Sequence, residues 1–125
     1  MLDALLAGLE DYSSDERGDV GSWVRIACVK GLASIAESLI QNAAAIANFP
    51  EYLPASKYHE LIAGILKQGV ERLDNVRQQA GEQMTRLLRL ELPPVAGREA
   101  WRIHGDQLMK ELLLRSVELP YSIHC

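Results

Sequence analysis

The side chains able to hold a metal or move a proton are few in this sequence. Histidines stand at His59, His104 and His124, and cysteines at Cys28 and Cys125. A closed tetrahedral zinc shell needs such ligands in short, paired spacings, and these five share none. His104-Gly105-Asp106 sets an imidazole two positions from a carboxylate, a spacing suited to acid–base work or half a metal site. A single histidine beside a turn is expected instead to be structural or solvated. No serine sits in a nucleophile-elbow pattern, and no glycine-rich loop could cradle phosphate. The carboxylates are scattered, as they are when they solvate exposed faces. No catalytic residue, metal or cofactor is therefore expected, and the chain is not expected to be an enzyme.

Charge and composition narrow the partners. The formal net charge is -4, without a basic tract, which argues against nucleic acid and its phosphate-dense surface. No apolar run approaches the length that crosses a bilayer. The start, Met1 to Glu10, lacks the basic and long apolar regions of a signal peptide. Two cysteines are too few for a disulfide framework and are expected to be free thiols in a reducing compartment. Arg17-Gly18-Asp19 is the tripeptide of integrin ligands. Here a loop followed by a helix cap accounts for it better.

The elements that must carry these side chains are helical. Apolar residues make up 48% of 125 residues, enough for one continuous core. Breaks are expected at Tyr12–Gly18, Asn48–Ala55 and Leu92–Gly97, with a further stop at Pro120. No stretch alternates in the manner of a strand. Leu2, Leu5, Leu6 and Leu9 form the stripe of a short first helix, expected to be the end of something longer because so short a helix is marginal alone. Asp19 is placed to cap a second helix whose inward face reads Val24, Ala27, Cys28, Leu32, Ile35 and Leu39. Ala43–Ala47 is expected to extend it until Phe49-Pro50 stops it. Ser56 reads as the N-cap of a third helix with the stripe Leu61, Ile62, Ile65 and Leu66, ended by a left-handed Gly69. A fourth carries Val76, Ala80, Met84, Leu87 and Leu88 to Pro93-Pro94, and a fifth runs from about Arg98 to Ser116 with Trp101, Leu108, Leu112 and Leu113.

Two segments repeat. Val24-Arg25 leads to Cys28 and Leu32, and Val76-Arg77 leads to Ala80 and Met84, an offset of 52 residues, with Asp19 and Glu71 each five positions before the valine. Such units form helical hairpins that stack, each burying its apolar face on the next. The acid sits where the macrodipole favours it, at a helix N-terminus. Asp19, Arg25, Glu71 and Arg77 are thus expected to form a structural ladder. The fold expected is all-α: about five helices of a HEAT/armadillo-like α-solenoid, with residues 1–125 as one helical-repeat domain. A chain of about two and a half hairpins is short for that architecture and is expected to be a fragment of a larger protein.

The string Arg17-Gly18-Asp19-Val20-Gly21-Ser22-Trp23-Val24-Arg25 goes well beyond what a generic repeat of this kind requires. With Leu6–Glu16 before it and Leu92-Pro93-Pro94 downstream, it resembles the C-terminal region of the tubulin-folding cofactor D family. The resemblance covers most of the chain and is strongest over residues 6–25.

What the resemblance implies is a chaperone. Members are large HEAT-rich proteins that bind β-tubulin, cooperate with cofactors E and C, and engage an Arf-like small GTPase while the αβ-tubulin heterodimer is assembled or dismantled. Their GTPase-activating effect belongs to the assembled complex, so no catalytic residue carries over. A cytoplasmic, cytoskeleton-associated location is implied, with no nucleic-acid or membrane partner. The alternative is a generic HEAT scaffold for some other complex, which has no reason to carry the Arg17–Arg25 string. Tyr12, Asp15, Glu16, Arg17 and Trp23 are the candidate protein-binding residues. Trp23 is either a partner-binding anchor or a brace for the inter-helix turn.

Overall fold

The computed structural model describes residues 2–11, 21–70 and 74–109. Among them there is no strand. Five α-helices are present: α1 (Leu2–Gly8), α2 (Gly21–Gln41), α3 (Phe49–Tyr52), α4 (Ala55–Gln68) and α5 (Asp74–Leu88). Single 3-10 turns lie at Ala43–Ala45 and Arg98–Trp101.

The helices form two hairpins, α1 with α2 and α4 with α5, stacked through a broad contact between α2 and α5. α1 and α2 run antiparallel: Gly8 lies against Val24 and Cys28, whereas Leu5 lies against Gly31. The hairpins are laid in the same sense. Asp3 meets Lys57 Nζ at 2.6 Å and Glu10 meets Lys67 Nζ at 3.1 Å, so α1 and α4 are parallel neighbours. Arg86 of α5 donates to Glu37 Oε1 at 3.2 Å and to Ser34 Oγ at 3.1 Å on α2. The separations along the chain of these pairs are 54, 57, 49 and 52 residues. They bracket the offset read between the two Val-Arg segments. The fold is all-α, in an arrangement compatible with two successive units of a solenoid.

The core lies between the hairpins and is filled by Leu9, Val29, Leu32, Ala33, Leu61, Ile65, Ala80, Met84 and Leu87, all nearly inaccessible. The stripe expected for α5 is the stripe observed: Val76, Ala80, Met84, Leu87 and Leu88 are buried. α2 differs. Its buried face is Arg25, Cys28, Val29, Leu32, Ala33, Ala36 and Ile40, while Val24 and Ala27 face outward. The helix is rotated because α1 and α5 cover it from two sides, and because the Arg25 side chain is turned inward.

Several expected boundaries are also corrected. Pro50 does not stop a helix but opens α3, where its missing N–H costs nothing. Pro54, not Ser56, precedes α4 at the N-cap. Leu66 is exposed; Tyr58 and Gln68 complete the buried side of α4. Gly69 has φ -68°, not a left-handed angle, and its N–H still donates to Ile65 O and Leu66 O. No continuous helix starts at Arg98. The 3-10 turn ends at Trp101, Arg102 is extended, and Gly105 at φ 73° reverses the chain before a helical turn over 106–109. Trp101 sets this break by anchoring the segment: its Nε1–H donates to Leu53 O at 3.0 Å and its ring lies 5.4 Å from that of Phe49. Leu108 is exposed. Leu112, Leu113, Ser116, Pro120, His124 and Cys125 lie outside the described residues.

Candidate interaction surface

Three side chains from two helices converge on the end of α1. The last carbonyls of a helix lack intrahelical partners, and here they are met from outside. Gln68 Nε2 of α4 donates to Leu9 O at 3.2 Å, within the core. Arg25 Nη1 of α2 donates to Asp11 O at 2.7 Å, from a side chain with no accessible surface. Lys67 pairs with Glu10 on the outside. Cations and donors are favoured there by the helix dipole. Beneath them Gly8 sits against Cys28, and a β-carbon at Gly8 would run into Cys28 Sγ. Cys28 is thus the residue at the crossing of α1 and α2, and it requires Gly8 opposite.

This clamp holds one flank of residues 12–20; the other flank, Gly21-Ser22, is buried at the start of α2. One residue further on, Trp23 is 63% exposed, with Val24 partly exposed beside it. The outward side of α2 continues through Ala27, Lys30, Ser34, Ser38 and Gln41, all exposed. Trp23 is therefore a large aromatic at one end of a mainly polar face. That surface adjoins the turn at residues 12–20, the turn Trp23 would brace. Tyr12, Asp15, Glu16, Arg17, Asp19 and Glu71 lie outside the described residues. Of the ladder, Arg25 is fully buried and Arg77 is exposed, and their valines are inverted, Val24 outward and Val76 buried. The two copies match at Cys28/Ala80 and Leu32/Met84 but not at Val-Arg.

Burial pushes the Cys28 thiol up, with the Asp11 carboxylate adding to the effect, so it stays a protonated, weakly reactive thiol. Burial likewise raises the Tyr58 phenol to about 12. Arg86 holds the Glu37 carboxyl low through their hydrogen bond, against a smaller opposing effect of burial. Among the described residues no cluster of three or more His, Cys, Asp or Glu could hold a metal, and no helix is long and apolar enough to cross a membrane.

Sequence spacing gave no sign of a second cluster, where residues 98–104 fold back onto α4. His59 Nε2 lies 2.7 Å from Ala100 O, and the His59 and His104 rings stack with centroids 5.2 Å apart. Arg102 is held by Glu99 at 2.7 Å and Asp106 at 3.3 Å. The two histidines lie about one repeat apart in the chain, and only folding brings them together.

No solved structure matches the chain. A family model described as tubulin folding cofactor D C terminal matches residues 59–122. The matched stretch begins at His59 within α4 and takes in α5 and the 98–104 segment; it lies downstream of the Arg17–Arg25 string. It spans just over half of the sequence, and on that match the chain belongs to the tubulin folding cofactor D C-terminal family.

Proposed function

We propose that the chain is a non-catalytic chaperone module that binds β-tubulin, or the partner cofactors E and C, while the αβ-tubulin heterodimer is assembled or taken apart. Membership of the family supports the tubulin-folding role, and engagement of an Arf-like small GTPase belongs to the same reading. The observation that carries a binding role for this segment is Trp23. A tryptophan left 63% exposed on a mainly polar helix face has the character of an interface anchor, since aromatic residues are enriched where truncation costs most. The Arg25–Gln68–Lys67 clamp supplies rigid support beside it, which lowers the ordering cost of binding.

The test compares the parent chain with Trp23→Ala and Asp15→Lys, each checked for unchanged helix content, in binding to purified β-tubulin and to each cofactor. Trp23→Ala is expected to weaken capture at least tenfold, equivalent to about 1.4 kcal/mol. Equal capture by the Trp23 variant would remove this surface from the proposal.

A further inference from the structure

Leu92-Pro93-Pro94 does more than stop α5. Pro93 is fully buried and pins the chain there, and it biases Leu92 towards extended angles. Leu90 and Leu92 are half-buried against the core with Glu91 exposed between them, the alternation of an extended chain rather than of a helix. Residues 91–93 form neither helix nor turn. Among the described residues, no hydrogen bond reaches the N–H groups of Glu91 and Leu92 or the carbonyls of Leu90, Glu91 and Leu92.

These uncommitted main-chain groups border open space. Arg89, Leu90, Glu91 and Leu92 line two clefts of about 400 Å³ each. Tyr58, Trp101 and Ile103 give the first an apolar wall, and Gln41 and Pro94 lie in the second. Of the charged side chains around the first, Arg102 is engaged by Glu99 and Asp106. Arg89, Glu91 and Arg98 are exposed and, among the described residues, make no ion pair. Two arginines against one glutamate leave that cleft a spare positive charge. It lies at the end of α5, whereas Trp23 lies at the start of α2, which runs parallel to α5. The two surfaces are therefore at opposite ends of the hairpins.

We propose that residues 90–92 are an edge that receives an extended segment of a partner protein, laid in the first cleft with its main chain paired to theirs and a carboxylate beside Arg89 and Arg98. An extended chain presents N–H and C=O groups in alternation, which is what an unpaired edge takes up. Main-chain pairing supplies the affinity, and the walls beside it read side chains. The segment therefore carries Asp or Glu together with one apolar residue for the wall of Tyr58, Trp101 and Ile103.

The test selects a displayed library of random peptides, about ten residues long, on the whole folded chain. It does not depend on tubulin or the cofactors, so its outcome is separate from that of the Trp23 surface. Enriched peptides should be acidic. Neighbouring N–H groups of an extended chain point to opposite sides, so a bound peptide should slow exchange of the Glu91 or the Leu92 amide about tenfold or more. Glu91→Pro removes a donor and Arg98→Glu reverses a charge; each should weaken binding about tenfold, with helix content unchanged, while Glu91→Gln should bind as the parent does. The same peptides N-methylated at single positions repeat the donor test without altering the chain. No enrichment, bound peptides that protect neither amide, or N-methylation without effect at every position would each overturn the proposal. So would protection of both amides in the free chain, which would mean that residues 110–125 or a second copy already occupy the edge.

Discussion

Individual side chains here do more to fix backbone than to present chemistry. Arg25 is the clearest case: a side chain with no accessible surface whose Nη1 donates to the carbonyl of Asp11. Arg25→Ala should cost roughly 1–3 kcal/mol, because it strips the half-buried Asp11 carbonyl of its donor; a urea midpoint equal to the parent's would remove that role. Glu37 allows a pH test. Its hydrogen bond from Arg86 lowers the carboxyl below the ordinary 4.5, so the folded chain takes up that proton less readily than the unfolded one. The contribution is full above 4.5 and is lost as pH falls through the lowered folded value. Glu37→Gln should be less stable than the parent at neutral pH, with the gap closing in acid. A gap that stays constant with pH would assign it to packing instead. At this scale the sequence was partly legible. It marked Trp23 and Arg25 as unusual, but it gave no sign that Arg25 would donate to the carbonyl of Asp11.

Helices differ in how much of their placement shows in their spacing. α5 has one apolar stripe among polar residues, so its inward face could be read directly. α2 carries apolar residues on more than one side and is covered on two sides, so periodicity pointed to the face through Val24 where the fold buries the face through Val29. The segment after Pro93-Pro94 misled for another reason. Trp101 and Leu108 have helical spacing, but Trp101 is drawn away to Leu53 and Gly105 turns left-handed. The Trp101 anchor should be expensive to remove: Trp101→Ala is expected to cost about 3–5 kcal/mol, read by thermal or urea unfolding, and a loss below about 1 kcal/mol would mean that the segment is not docked. The crossing of α1 and α2 can be tested by overpacking. Gly8→Ala should destabilise by about 1–3 kcal/mol, and adding Cys28→Ala to it should recover much of the loss by removing the sulfur that the new methyl meets. Failure of the double variant to recover would contradict the close approach.

At the scale of the molecule, two hairpins lie in parallel register about 52 residues apart, and side-chain pairs between them keep that spacing. This periodicity was visible in the sequence because the same small and large residues, Cys28/Ala80 and Leu32/Met84, recur where the hairpins pack. The inversion of the Val-Arg pair was not visible, since it depends on which neighbour covers each helix. The stacked hairpins give a rigid support with a polar outer face on α2, an exposed tryptophan at one end and no reactive centre among the described residues, a surface suited to holding a large protein client. The most direct test is capture of separately purified β-tubulin, αβ-tubulin and the other cofactors on this chain, immobilised and shown to be folded. The account predicts specific retention of β-tubulin or of a cofactor, reversed by free chain in solution. A folded chain that retains none of them would contradict a client-binding role for this segment.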